Sequence, residues 1–152
     1  MTIEINRIEL IMSVHATESM KKNDQALTNI ISEELLKKNK IITEEFEGGY
    51  GNPIIIKKVE LARKKDIEEF ITFFSERLTE ESKKKLFSEF EERFDENKNR
   101  FYIRIEKEEA YKGILKTENS PRNVKIELRL KTFDINPDYK KFLTNKGILK
   151  EN

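Results

Sequence analysis

Val124, Ile126, Leu128 and Leu130 alternate with Lys125, Glu127, Arg129 and Lys131, the cleanest two-residue period in the chain. Successive side chains of a strand point to opposite faces, so this segment predicts one apolar face and one charged face. Such a strand suits a sheet covered on one side and open to water on the other. Two more segments repeat the pattern. Phe101, Ile103 and Ile105 alternate with Tyr102, Arg104 and Glu106. Over residues 3–15, Ile8, Leu10, Met12 and Val14 alternate with Arg7, Glu9, Ser13 and His15, and Ile11 interrupts the polar side.

Helices must supply the cover. Residues 64–78 place Ile67, Phe70, Ile71, Phe74 and Leu78 on one helical stripe. Thr79 is the expected cap of a second helix, with Glu80 and Glu81 in its first turn and Leu86, Phe87, Phe90 and Phe94 as its apolar side. The phenylalanines of this pair read as core. A further helix is expected from a cap at Thr17 or Ser19 to about Lys38, with Leu27, Ile30, Ile31 and Leu35 buried. Strands are expected near 41–47 and 54–61, the second starting with Ile54-Ile55-Ile56 buried on both faces. Residues 107–122 read as a bent connection and loop. The order β-α-β-β-α-α-β-β predicts an α+β fold, a mostly antiparallel sheet covered on one side by helices.

The length of 152 residues suits one domain. Residues 1–133 hold the predicted elements, and 134–152 form a short C-terminal extension. Asn136 as cap, Pro137 at the first helical position and Gly147 as stop predict a helix there. The segment MTIEINRIEL lacks the layout of a signal peptide, and no apolar run approaches a membrane span, so a cytoplasmic setting is expected. The chain has no cysteine and only His15 as histidine, which excludes disulfides, thiolate sites and multi-histidine metal sites.

Formal net charge is only +1, which argues against bulk electrostatic coating of nucleic acid. The distribution is uneven. Residues 64–96 carry seven basic and eleven acidic side chains, whereas 97–131 carry ten basic and five acidic. A nucleic-acid surface should therefore involve the second stretch, and a basic partner the first.

The segment EGGYGNPIIIKK, residues 47–58, is the chain's one glycine-rich stretch. A phosphate loop needs Gly-Lys-Ser/Thr opening a helix. Here Asn52-Pro53 and a strand follow, and Pro53 removes an amide donor. Two readings stay open: a plain hairpin connection, or a connection that also presents Tyr50 and Asn52 to a ligand. His15 reads either as a structural histidine or as half of a pair with Glu18. No serine sits in a Gly-x-Ser-x-Gly elbow. No catalytic residue, cofactor or metal site is expected. If the apolar strand faces meet the helices, the opposite face collects Arg7, His15, Tyr102, Arg104, Lys125, Arg129 and Lys131, with Glu9 and Glu127 among them. Cations with interspersed aromatics suit RNA; the same pattern also suits a solvated face of mixed charge.

The stretches SVHATES, EFEGGYGNPI, LARKKDIEEF, ERFDENKNRFYIRIEKEEAYKG and NVKIELRLK, in this order over about residues 5–132, resemble an archaeal RNA-binding family. It was formerly a domain of unknown function and is regarded as a predicted exosome subunit. The family is similar in fold to the ribosomal protein that carries 5S RNA. Its most specific parts here are Gly51-Asn52-Pro53-Ile54 and the Lys107-x-x-Ala110-Tyr111-x-Gly113 element. Two positions depart from the family pattern: Gly49 stands where it has His, and Glu108 where it has Gln.

The resemblance implies a non-catalytic RNA-binding protein, an accessory of the exosome or of ribosome-related RNA processing. Residue chemistry then nominates Arg104, Lys107, Lys125 and Arg129 for phosphates, Tyr50 or Tyr111 for stacking, and Asn52 for a base or sugar. The alternative is a protein-interaction subunit that docks a larger complex through its acidic helices and tail.

Overall fold

In a computed structural model that describes residues 2–48 and 51–152, the alternating segments become neighbours in one sheet. The strands are β1 (Glu4–His15), β2 (Ile41–Glu47), β3 (Pro53–Leu61), β4 (Phe94–Asp95), β5 (Arg100–Glu106) and β6 (Asn123–Lys131). Their order is β2-β3-β1-β6-β5-β4, and every neighbouring pair is antiparallel. The expected α+β fold is present.

The inner face is the one the alternation predicts. Ile8, Leu10 and Met12 of β1, Val124, Ile126 and Leu128 of β6, and Phe101, Ile103 and Ile105 of β5 are all buried. They meet α1 (Met20–Ile31), α2 (Glu33–Lys38), α3 (Lys64–Arg77) and α4 (Glu80–Ser88), which contribute Leu27, Ile30, Leu35, Phe70, Phe74 and Leu86 to the same core. Thr79 caps α4 as expected, its hydroxyl accepting from the Ser82 amide at 3.2 Å.

Three local expectations need correction. The helix expected to run to Lys38 breaks at Ser32, whose φ of 89° and ψ of 148° lie outside helical space. Its hydroxyl instead accepts from the Leu35 amide and starts α2, a case of a short polar side chain competing with the helix. The helix expected over 79–94 likewise ends at Ser88. It gives way to α5 (Phe90–Arg93) and then to β4, where Phe94 pairs with Phe101. Lastly, Ile54, Ile55 and Ile56 are only half-buried. They lie at the start of β3 beside the fully exposed edge strand β2, where, of the three, only Ile55 packs against the core.

Residues 107–122 begin with α6 (Lys107–Tyr111), capped by the Glu106 carboxylate, which accepts from the Glu109 amide at 2.7 Å. The tail forms α7 (Tyr139–Asn145). Its cap is Asp138 rather than Asn136, accepting from the Lys141 amide at 3.0 Å. Gly147 ends it with a φ of 82°, a conformation glycine adopts without strain. Tyr139, Phe142, Leu143, Ile148 and Leu149 are buried in the common core. Phe94 and Tyr139 approach at 5.0 Å between ring centroids, and Lys150 reaches Glu80 of α4.

Candidate nucleic-acid interface

The open face of the sheet is ordered by register. Arg100, Arg129 and Arg7 form one cross-strand row; Tyr102, Glu127, Glu9 and Glu60 form the next; Arg104, Lys125, Ile11 and Lys58 form the third. Glu9 and Glu127 are only 6% and 5% exposed although they belong to the open face. Arginines lie over them. Arg100 Nη1 reaches Glu127 at 2.9 Å, and Arg129 spans both acids, 3.1 Å from Glu127 and 3.5 Å from Glu9. Lys58 lies 3.8 Å from Glu9, and Arg7 lies 3.1 Å from Glu60. These acids therefore take up the arginines of the first row and Lys58 of the third.

The rest of the third row differs. Among the described residues, Arg104 and Lys125 have no carboxylate within ion-pair distance, and Lys125 Nζ sits 4.8 Å from the centroid of the Tyr102 ring. Like charges directly across a ladder repel, so this pair is disfavoured unless an anion joins it. The geometry concentrates unpaired charge where β5 and β6 approach α6.

Two clefts border this end of the sheet, and they share Thr17. The first, of about 280 Å³, is lined by His15, Ala16, Gly48, Asn52, Pro53 and Ile54. Asn52 is exposed, and its carbonyl accepts from the Gly48 amide at 2.6 Å, closing the connection between β2 and β3. A Cβ on Gly48 would stand 2.6 Å from that carbonyl oxygen, so this approach needs glycine. The segment is thus a hairpin connection with Pro53 at the first position of β3. Tyr50 lies outside the described residues. His15 is exposed at the end of β1, and the Glu18 carboxylate is bonded to Lys107 rather than to it.

The second cleft, of about 320 Å³, lies between the start of α1 and α6. Tyr111 is 39% exposed on its wall, and the Asn29 side chain anchors α6 by donating to the Ala110 carbonyl at 2.8 Å. Lys107, in contrast, is not a surface cation. It is 7% exposed, and Nζ donates to the Ser13 carbonyl and to Glu18 Oε2, the latter at 2.9 Å. Burial acts to raise the Glu18 pKa, but the hydrogen bond and charge of Lys107, joined by hydrogen bonds from the Asn23 side chain and the His15 backbone, hold the carboxyl below its ordinary value.

Of the seven nominated residues, Arg104 and Lys125 come together as unpaired cations, while Tyr111 and Asn52 sit on neighbouring clefts. Arg129 and Lys107 hold carboxylates. Lys22, Arg122 and Asn23 share the Tyr111 cleft but carry no sequence signal of it, because only the packing of α1 against α6 unites them. Among the described residues, no group of His, Asp or Glu is arranged to hold a metal, and no helix is long and apolar enough to cross a membrane.

The helices cover one face of the antiparallel sheet and leave the other open, with Tyr102, Arg104 and Lys125 together on it. A family model described as RNA binding matches residues 7–131, and the chain belongs to that family. An RNA-binding protein of Pyrococcus abyssi is 30% identical over 132 residues, covering 86% of this chain and 85% of that protein. The crystal structure of a DUF54 protein from Archaeoglobus fulgidus has a TM-score of 0.79 and 28% identity, covering 94% of this chain and 99% of that one. A DUF54 protein from Methanothermobacter thermautotrophicus has a TM-score of 0.69 and 26% identity, covering 96% of this chain and 98% of that one. The resemblance to an archaeal RNA-binding family is borne out.

Proposed function

We propose that the chain binds RNA without catalysis, through the row that contains Arg104 and Lys125 and through the adjoining clefts. One observation carries this reading: two like charges face each other on an open sheet, with no carboxylate among the described residues pairing with either and a tyrosine beside them. A phosphate between Arg104 and Lys125 relieves that repulsion, and Tyr102 offers a ring for an unpaired base. Arg129 and Lys107 contribute by holding the acids that would otherwise repel the backbone.

Ultraviolet crosslinking to cellular RNA, with the crosslinked peptides mapped, tests the surface. Peptides containing Tyr102 to Tyr111 and Asn123 to Lys131 are expected. Crosslinks confined to α3 and α4 would sink the assignment.

The finer reading, an accessory of exosome- or ribosome-related RNA processing, rests on the resemblance alone. The alternative is a docking subunit that uses the acidic helices and the tail, where Phe142 and Leu143 pack into the core and Ile135 stays exposed. Partners that co-purify after nuclease treatment would favour docking, and partners that disappear on treatment would favour RNA bridging.

A further inference from the structure

The cleft between α1 and α6 has polar features that phosphate binding does not explain. Its volume of about 320 Å³ lies at the low end for small-molecule sites, the scale of a single nucleotide. Glu18 and Lys107 line it as a largely buried ion pair, with side chains 13% and 8% exposed. An ammonium has three donors, and Lys107 uses two of them on Ser13 and Glu18. A carboxylate has about four acceptor positions; the Asn23 side chain and the His15 backbone also bear on Glu18 beside Lys107, which leaves it part of that capacity. Asn23 lines the same cleft at 5% exposure. Its Nδ2 donates to the Ser19 carbonyl at 2.8 Å, while its Oδ1 has no partner among the described residues. A buried polar atom without a partner is costly and asks for an explanation.

The lining therefore offers acceptor capacity on Glu18 next to one surplus donor on Lys107, beside the exposed Tyr111 ring, one face of which meets Lys22 Nζ at 5.2 Å from its centroid. We propose that this cleft seats one unpaired guanine nucleotide, stacked on Tyr111, with Glu18 accepting from the adjacent N1–H and N2 amino donors and Lys107 donating towards O6. The other bases fit this arrangement less well. Adenine and cytosine present one amino donor beside a ring nitrogen acceptor, which a carboxylate repels. Uracil presents one N–H between two carbonyls. Only guanine pairs two neighbouring donors with an adjacent acceptor on its Watson–Crick edge. Lys22 and Arg122, also in the lining, carry the charge that flanking phosphates need.

This assignment rests on the RNA-binding reading for its source of guanine; free guanine nucleotide shares the same chemistry, and the test separates the two. The full chain is titrated with short oligouridines carrying one central guanosine or one central adenosine, and separately with GMP and AMP. The guanosine oligomer should bind about tenfold tighter than the adenosine oligomer. Tyr111→Ala, at an exposed position, should weaken both by about tenfold. Glu18→Gln should remove the preference, weakening the guanosine oligomer and, with the repulsion of the adenine ring nitrogen relieved, bringing the adenosine oligomer level with it. Should Glu18→Gln fail to fold, Tyr111→Ala and the wild-type comparison still decide.

Equal affinity for the two oligomers overturns the guanine cleft and leaves the RNA reading standing. Failure of every oligomer to bind overturns the RNA reading instead. In that case, preference for GMP over AMP keeps the cleft and assigns it to free nucleotide, and no preference overturns it as well.

Discussion

Arg104 on β5 and Lys125 on β6 are direct cross-strand partners on the open face, and among the described residues no carboxylate pairs with either. One row away, Glu127 and Glu9 gather Arg100, Arg129 and Lys58. The same sheet face thus holds cations with a structural role beside cations without one.

That division is testable by stability alone. Lys125→Gln relieves a like-charge repulsion and leaves no carboxylate stranded. Its ammonium also lies over the Tyr102 ring, so the two effects offset and urea denaturation should show it within about 0.5 kcal/mol of the wild type. A clear loss of stability would mean that Lys125 has a structural partner.

Arg129→Gln should behave in the opposite way. It takes one partner from each of two carboxylates that are 7% exposed, leaving Arg100 and Lys58 to hold them. Because the guanidinium is itself partly exposed, the expected loss is modest, about 1–2 kcal/mol. Adding Glu127→Gln should recover part of it in a double-mutant cycle.

Glu18 gives the fold an acid-sensitive contact. Its carboxyl is held below its ordinary value of 4.5 in the folded chain, where Lys107, joined by the Asn23 side chain and the His15 backbone, outweighs the effect of burial. A depressed folded pKa stabilises fully above the unfolded value, and the contribution fades as pH falls through the folded one. Stability measured from neutral pH downward should therefore begin to lose this contribution near pH 4.5. Glu18→Gln should flatten that part of the profile. A profile unchanged by the substitution would contradict the coupling.

Ser32 joins α1 to α2 in a backbone region that favours glycine. Ser32→Gly relieves the strain and loses only the side-chain cap, which glycine replaces at a cost of a few tenths of a kcal/mol. A net gain of about 1 kcal/mol is expected by thermal denaturation. A loss larger than the cap is worth would show that the Ser32 hydroxyl does more than cap.

The two sheet faces were legible in the sequence because a period of two assigns a face to every residue once a strand is recognised. Val124 to Lys131 illustrates this, with all four apolar positions inward. The breaks at Ser32 and Glu89 were not legible, because apolar spacing continues across both: Leu35 and Phe90 are buried as a continuous helix would bury them. The roles of the cations depended on register. Arg129 and Lys125 lie on the same face of the same strand, yet only the first is placed to span Glu9 and Glu127. Lys107 reads as an RNA-facing lysine because nothing local shows that Glu18, far back in the chain, closes over it.

On the proposed reading, Arg104 and Lys125 bind RNA phosphate while Arg129 is structural. RNA affinity measured against salt for the wild type, for Arg104→Gln with Lys125→Gln, and for Arg129→Gln tests it most directly. Removing one phosphate interaction with single-stranded RNA should lower the log–log slope by about 0.7. A flatter slope is expected for the Arg104 and Lys125 double variant and a wild-type slope for Arg129→Gln. An unchanged slope in the double variant would contradict it.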